Sequence, residues 1–276
     1  MAGNFWKSSH NKDWILDRQA IILRRYEAHQ IFEPALEAQH QKLLIFLCEL
    51  TQSIGIQMKS KQQIISTATI YMKRFYMRNS FKAVEPMLLS ATAIYLASKV
   101  DQFENMPLGV LVNACCVVQD RYKYALQKHF PYRGLDILSC EFYLAESLDF
   151  SLIVYHPYRP LVTYLNYLPD DYDDGFRTRL LTSAWTVLND SLRTDVCFLF
   201  PPHQIAVASL IVAAVAQGRN DLQTWFMEME GIDLMNVSEI CAYINDYYDF
   251  IKTYNQEEEI PDLISQMPKP VLSPPK

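Results

Sequence analysis

Two residues of opposite charge sit where charge is least expected. Lys99 ends the uncharged run Ala91–Ser98 in "ATAIYLASKVDQFE", one helical turn beyond Tyr95 and Leu96 and on their side. Glu141, in "DILSCEFYLAESLDF", falls on the apolar stripe of Ile137, Leu144 and Leu148. Such charges can pair internally or snorkel to water, since isolated charges are seldom buried. They can also rim an apolar patch and offer charge-assisted bonds to the backbone of a partner. Both readings stay open at this point.

Catalysis is not indicated. The chain has no G-x-G-x-x-G, P-loop, G-x-S-x-G or H-E-x-x-H, and its six histidines are scattered. An enzyme is therefore not expected, nor a cofactor. The acidic "PDDYDDG" at 169–175 fails as a calcium loop because Tyr172 and Leu181 stand where ligands are needed. No metal site is expected.

The elements that position Lys99 and Glu141 read as helices. Glycine is scarce, at 7 of 276 residues, half the chain is hydrophobic, and apolar residues recur at helical spacing, which predicts an all-α fold. Pro- or Gly-marked breaks fall at "FEPALEA" (32–38), "VYHPYRPL" (154–161) and "NQEEEIPD" (255–262), ahead of a proline-rich tail, "MPKPVLSPPK". Five helices are predicted in the first half, near 40–56, 61–78, 86–101, 106–122 and 134–149. Five more follow near 158–168, 175–193, 202–217, 220–229 and 236–254.

The halves repeat each other. Without a gap, Ala68 meets Ala184, Pro86 meets Pro202 and Ala97 meets Ala213. Each proline opens a third helix, where its missing N–H costs nothing. That helix is apolar nearly all round, so its neighbours must enclose it. The expected architecture is two tandem five-helix bundles. Residues 1–38 form an N-terminal extension and helix, 39–152 and 153–256 the two bundles, and 257–276 the tail. The repeat breaks at the two charges: Lys99 faces Val215, and Glu141 faces Cys241 when "LDF" (148–150) is set on "YDF" (248–250).

The net charge of −6 argues against a direct nucleic-acid binder. The six cysteines form no C-x-x-C and lie in apolar helical patterns, as reduced core residues of an intracellular protein would. The start lacks an apolar signal region, and the longest apolar run, Ile205–Ala216, is too short to span a bilayer. A soluble protein without membrane contact is expected.

"AIYLASKVDQF" and "CEFYLAESLDF" resemble the third- and fifth-helix signatures of the cyclin box, and the doubled five-helix plan is the cyclin fold. "MAGNFWKSSH", "WILDRQ", "STATIYMKRFY", "RTDVCFLFPPHQIAVASL" and "MPKP" extend the resemblance over almost the whole chain, to transcriptional cyclins. It implies a regulatory subunit without catalysis of its own. The implied partners are cyclin-dependent kinase 8 or its paralogue and other subunits of the Mediator kinase module, in the nucleus, acting on RNA polymerase II transcription. By resemblance Lys99, Val100, Asp101, Phe103, Glu141, Ala145 and Phe150 contact the kinase. Trp14, in "WILD" of the N-terminal helix, adds a further contact. Trp6, Asn189, Asp190 and Tyr248 are candidates for a groove taking another Mediator subunit, against an ordinary solvated face. Arg159 of "HPYRPL" either meets a partner or braces the linker. "KRFYMR" (73–78) reads as a solvated stripe rather than a contact to the kinase activation segment.

Two departures stand out. The first helix has "QKLLIFLCEL" in place of the M-R-A-I-L-x-x-W patch that docks substrate peptides, and the acidic pair after the lysine is reduced to Asp101–Gln102. The alternative is a TFIIB-like transcription factor with cyclin-like repeats. It predicts a basic chain and a zinc ribbon, and neither is present in this sequence. A purely helical scaffold would not explain why only one repeat carries the two charges.

Overall fold

Pro86 and Pro202 each open a helix, and those two helices are the spines about which the chain is built. In the computed structural model the described residues are 3–29, 34–101, 106–126, 129–169, 172–219, 221–227 and 231–266, with backbone alone for 34–36, 223, 224 and 227. Phe103, Gln102 and the "MPKPVLSPPK" tail lie outside them. The helices are α1 (Ser9–Trp14), α2 (Arg18–His29), α3 (Pro34–Gln57), α4 (Gln62–Arg78), α5 (Pro86–Val100), α6 (Leu108–Arg121) and α7 (Gly134–Ser147). Then come α8 (Tyr158–Asn166), α9 (Asp174–Ser191), α10 (Val196–Leu199), α11 (Pro202–Ala216), α12 (Asp221–Met227), α13 (Leu234–Thr253) and α14 (Gln256–Gln266). No strand occurs among the described residues, and no helix among them is long and apolar enough to cross a membrane.

The chain divides into two compact units, Asp17–Ile153 with the segment from Asn255, and Val154–Tyr254 with the segment up to Leu16. In the first, α5 is enclosed by α3, α4, α6 and α7. Its small residues Ser90, Ala91, Ala93 and Ala97 are buried, which allows close backbone approach. In the second, α11 takes the same place among α8, α9, α12 and α13. Ala68 and Ala184 are both fully buried, as repeat partners should be.

The N-terminal 38 residues do not form one extension. The stretch through Leu16 packs with the second unit: Leu16 N–H donates to the Phe198 carbonyl at 2.7 Å, and Tyr155 N–H donates to His10 Nδ1 at 3.0 Å. The helix α2 packs on α4 in the first unit. "WILD" is therefore a break between two helices, with Ile15 already extended. "NQEEEIPD", by contrast, is no break. It starts α14, which packs on α3, buries Ile260 completely, joins Glu259 to Lys42, and bonds Gln256 to the Tyr124 hydroxyl at 3.0 Å. A helical period of apolar residues too short to read alone becomes legible once α3 offers a face.

All six cysteines are free thiols, and four of them are buried. Cys116 departs from expectation by facing solvent on α6, while burial pushes its neighbour Cys115 up to about 12.

Candidate functional site: a charged edge on the first unit

Lys99 stands in the last turn of α5 and Glu141 midway along α7, and the packing of α5 on α7 sets them face to face. Lys99 Nζ donates to Glu141 Oε1 at 2.6 Å. The Lys99 side chain is 53% exposed and that of Glu141 15%, so the pair lies at the surface with the acid held from below. Lys99 also lies 5.1 Å from the Tyr95 ring centroid. The bond from Glu141 raises the lysine's pKa above its ordinary value. The internal ion pair of the sequence reading is thus present, and it is also accessible.

Exposed apolar side chains lie along α7 and the segment after it. Phe142 is 67% exposed, Phe150 59%, and their rings meet edge to face at 6.3 Å. Leu135, Leu138, Tyr143 and Ile153 are exposed as well. Sequence reasoning missed these five companions of Phe150. Their signal was available: in α7, Leu135, Leu138 and Phe142 fall on one helical face that the Ile137–Leu144–Leu148 stripe does not need.

Phe150 reaches the surface through an unusual turn. Asp149 and Phe150 both have φ of 52°, a left-handed conformation disfavoured for non-glycine residues. The turn is held from α4. Arg74 donates to the Ser151 carbonyl at 3.1 Å, Arg78 to the Ser147 carbonyl at 3.3 Å and to the Asp149 carboxylate, and the Tyr71 hydroxyl to the Leu152 carbonyl. This corrects the reading of "KRFYMR" as a solvated stripe. Lys73 to Met77 are all buried, because α2 covers the face of α4 that its own pattern leaves open.

The remaining residues of this set fare unequally. Val100 and Asp101 are half-buried. Asp101 closes α5 by donating its N–H to the Ala97 carbonyl at 3.0 Å and accepts from Gln63 Nε2 at 3.2 Å. Burial raises its carboxyl pKa, against the hydrogen bonds from Gln63 and Thr67. Ala145, by contrast, is buried on α7. Trp14 is 0% exposed, so its side chain cannot be a direct contact; an indole that size, on a six-residue helix, anchors the helix instead.

In the second unit, three of the four groove candidates are held by hydrogen bonds within the unit. Tyr158 Oη–H donates to Asn189 Oδ1 at 2.8 Å, Tyr248 Oη–H to Asp190 Oδ2 at 3.1 Å, and Arg193 pairs with Asp190 at 2.7 Å. Burial raises the Asp190 pKa, opposed by Arg193. Trp6 stands apart from those bonds, exposed and edge-on to His203 at 5.6 Å. Arg159 is exposed. At the places of Lys99 and Glu141, this unit has an exposed Val215 and a half-buried Cys241, whose thiol lies 3.8 Å from the Ala208 carbonyl.

Two five-helix bundles, one bearing a charged and aromatic edge, define a two-box cyclin, and the family comparisons agree. Residues 21–153 match the N-terminal cyclin domain and 156–252 the C-terminal cyclin domain. The chain belongs to the cyclin family, in its cyclin-C branch. It is 45% identical to Cyclin-C of Drosophila melanogaster over 276 residues, covering 99% of each chain. It is 42% identical to Cyclin-C of Rattus norvegicus, covering 99% of this chain and 93% of that one. In fold it is similar to a chain of the CAK complex from Chaetomium thermophilum bound to ATP-gamma-S. That match has a TM-score of 0.72 at 20% identity and covers 97% of this chain and 89% of the other. A chain of the yeast TFIIK (Kin28/Ccl1/Tfb3) complex gives a TM-score of 0.67 at 23% identity, covering 87% and 100%. The TFIIB-like alternative is set aside, since both halves match cyclin domains.

Proposed function

We propose that this chain is a non-catalytic regulatory subunit that binds and activates cyclin-dependent kinase 8 or its paralogue. It would act with other Mediator kinase-module subunits in the nucleus, on RNA polymerase II transcription. Whole-length similarity to cyclin-C proteins supports the family role. The observation that carries the reading is the exposed Lys99–Glu141 pair together with exposed Phe142 and Phe150, which the second unit does not repeat.

The physical role is a population shift. A free kinase holds its αC helix displaced, so the αC glutamate cannot pair with the lysine that positions the ATP phosphates. A subunit that binds only the inward αC form draws the equilibrium towards it by its differential affinity. Phe142 and Phe150 supply the buried apolar area, and Lys99 and Glu141 supply charge-assisted bonds to backbone groups at the rim.

The test mixes the purified chain with the kinase and measures binding and phosphorylation of a transcription-related peptide. Wild type should bind and activate, while Lys99→Glu and Glu141→Lys should lose both. Absence of binding by wild type would refute the partner. Normal binding by both reversals would refute the clamp and leave the family role standing.

A further inference from the structure

The dipeptide Asp-Phe occurs at matching places in the two repeats, and only one copy leaves its helix. With "LDF" set on "YDF", Asp149 and Phe150 fall on Asp249 and Phe250. In the second unit α13 runs on through Thr253, and Phe250 is half-buried, stacked on Tyr254 at 5.0 Å. In the first, α7 stops at Ser147, both residues turn left-handed, and Phe150 faces solvent. Identical residues with opposite backbones mean that the turn is imposed from outside the dipeptide.

What differs is α4. With Ala68 set on Ala184, Tyr71, Arg74 and Arg78 fall opposite Val187, Asp190 and Thr194. The first three donate to the carbonyls of Leu152, Ser151 and Ser147, as described above. Their counterparts do not: valine has no donor, Asp190 accepts from Tyr248, and Thr194 Oγ1–H donates to the Ser191 carbonyl at 2.7 Å. The backbone of the turn makes its own bonds, Asp149 N–H to the Glu146 carbonyl at 2.9 Å and Phe150 N–H to the Ala145 carbonyl at 3.0 Å. That pattern ends a helix on a left-handed residue that is usually glycine. With aspartate in the place of glycine, the turn needs a further hold.

We propose that Arg78 is the positioning residue of the kinase edge, given the kinase-binding reading above: its grip on Ser147 and Asp149 keeps the turn left-handed and so presents the Phe150 ring beside Phe142. One guanidinium nitrogen reaches both the last carbonyl of α7, which a helix end leaves open, and the carboxylate of the strained residue. Arg74 and Tyr71 are fully buried and belong to the core, whereas the Arg78 and Asp149 side chains are 28% and 70% exposed. An exposed ion pair contributes little to global stability, so losing Arg78 should leave the fold standing and free the turn. Affinity then falls by the fraction of chains in which the turn is still formed.

The experiment uses the full chain labelled with 4-fluorophenylalanine, the Phe150 resonance being the one missing from Phe150→Leu. Binding to the kinase of the preceding test is measured by titration calorimetry. Arg78→Gln should move the Phe150 resonance and weaken binding about tenfold, as when about one chain in ten keeps the turn. The other fluorine resonances, dispersed as in wild type, show that the variant is folded. Arg78→Lys, a point charge without the planar fork, should fall between. Adding Asp149→Gly to Arg78→Gln should return binding to within about threefold of wild type, because glycine needs no hold there. An arginine that merely stabilised the fold would gain no such rescue. The proposal is overturned if Arg78→Gln leaves the resonance in place, if the resonance moves while binding stays as in wild type, or if the double variant binds no better than Arg78→Gln. Failure of wild type to bind refutes the kinase reading instead, and the resonance still decides whether Arg78 holds the ring.

Discussion

At the scale of single residues, magnitude separates what Lys99 and Glu141 do for the fold from what they do for a partner. An ion pair with its lysine half in water contributes no more than about 1 kcal/mol to stability. Lys99→Glu and Glu141→Lys should each shift a urea-unfolding free energy by less than that amount. Desolvated at an interface, the same groups become expensive to leave unpaired, about 2 kcal/mol or more. Kinase affinity should therefore drop about thirtyfold or more in each single variant, by titration calorimetry. Equal effects on stability and on binding would mean that the pair is structural. The sequence placed both charges on apolar stripes, but nothing local could show that α5 and α7 cross at their positions. Phe142 was invisible for a related reason, since an apolar residue on a second helix face reads as core until the packing leaves it outside.

Elements carry the next set of expectations. Between α2, α3 and α4 two histidines, His29 and His40, meet edge to face at 4.4 Å, and Phe81 lies against both. His29 Nε2 donates to the Tyr76 carbonyl at 2.7 Å. Burial holds His40 well below the ordinary 6.5, with His29 and Arg25 adding to the depression. Burial also lowers His29, opposed first by its bond to the Tyr76 carbonyl and then by Glu37, which itself pairs with Arg25 at 2.7 Å. The unfolded chain therefore binds more protons than the folded one below 6.5, and stability must fall as the pH drops through that value. Denaturation midpoints measured from neutral to acidic pH should show this slope, and His40→Leu should flatten it. A slope unaltered in that variant would place its origin elsewhere. A second expectation concerns α14. Ile260 is fully buried, so Ile260→Ala should cost about 2–4 kcal/mol in chemical denaturation, while Glu259→Gln should cost under about 1 kcal/mol. A loss below 1 kcal/mol for Ile260→Ala would mean that α14 is dispensable to the first unit.

For the whole molecule, duplication leaves one scaffold and two different surfaces. Building Val215→Lys with Cys241→Glu into a chain carrying Lys99→Glu should restore an ion pair in the second unit without restoring kinase binding. Ala242 and Ser238 stand there in place of Phe142 and Leu138, so two of the exposed apolar side chains are lost. Recovery of binding in a pull-down with the kinase would show that the charges alone suffice.

The sequence by itself determined the ten bundle helices, the repeat, the proline that opens each spine and the asymmetry of the two charges. These follow from spacing and residue type, which are local properties of a chain. Only the tertiary structure decided that Lys99 and Glu141 meet at 2.6 Å, that Trp14 and Ala145 turn inward, and that "KRFYMR" holds the Phe150 turn from beneath. It also decided that the segment through Leu16 packs with the second unit and α14 with the first. Each of these depends on which faces of distant elements come together, and burial and pairing are set by that meeting rather than by either face alone.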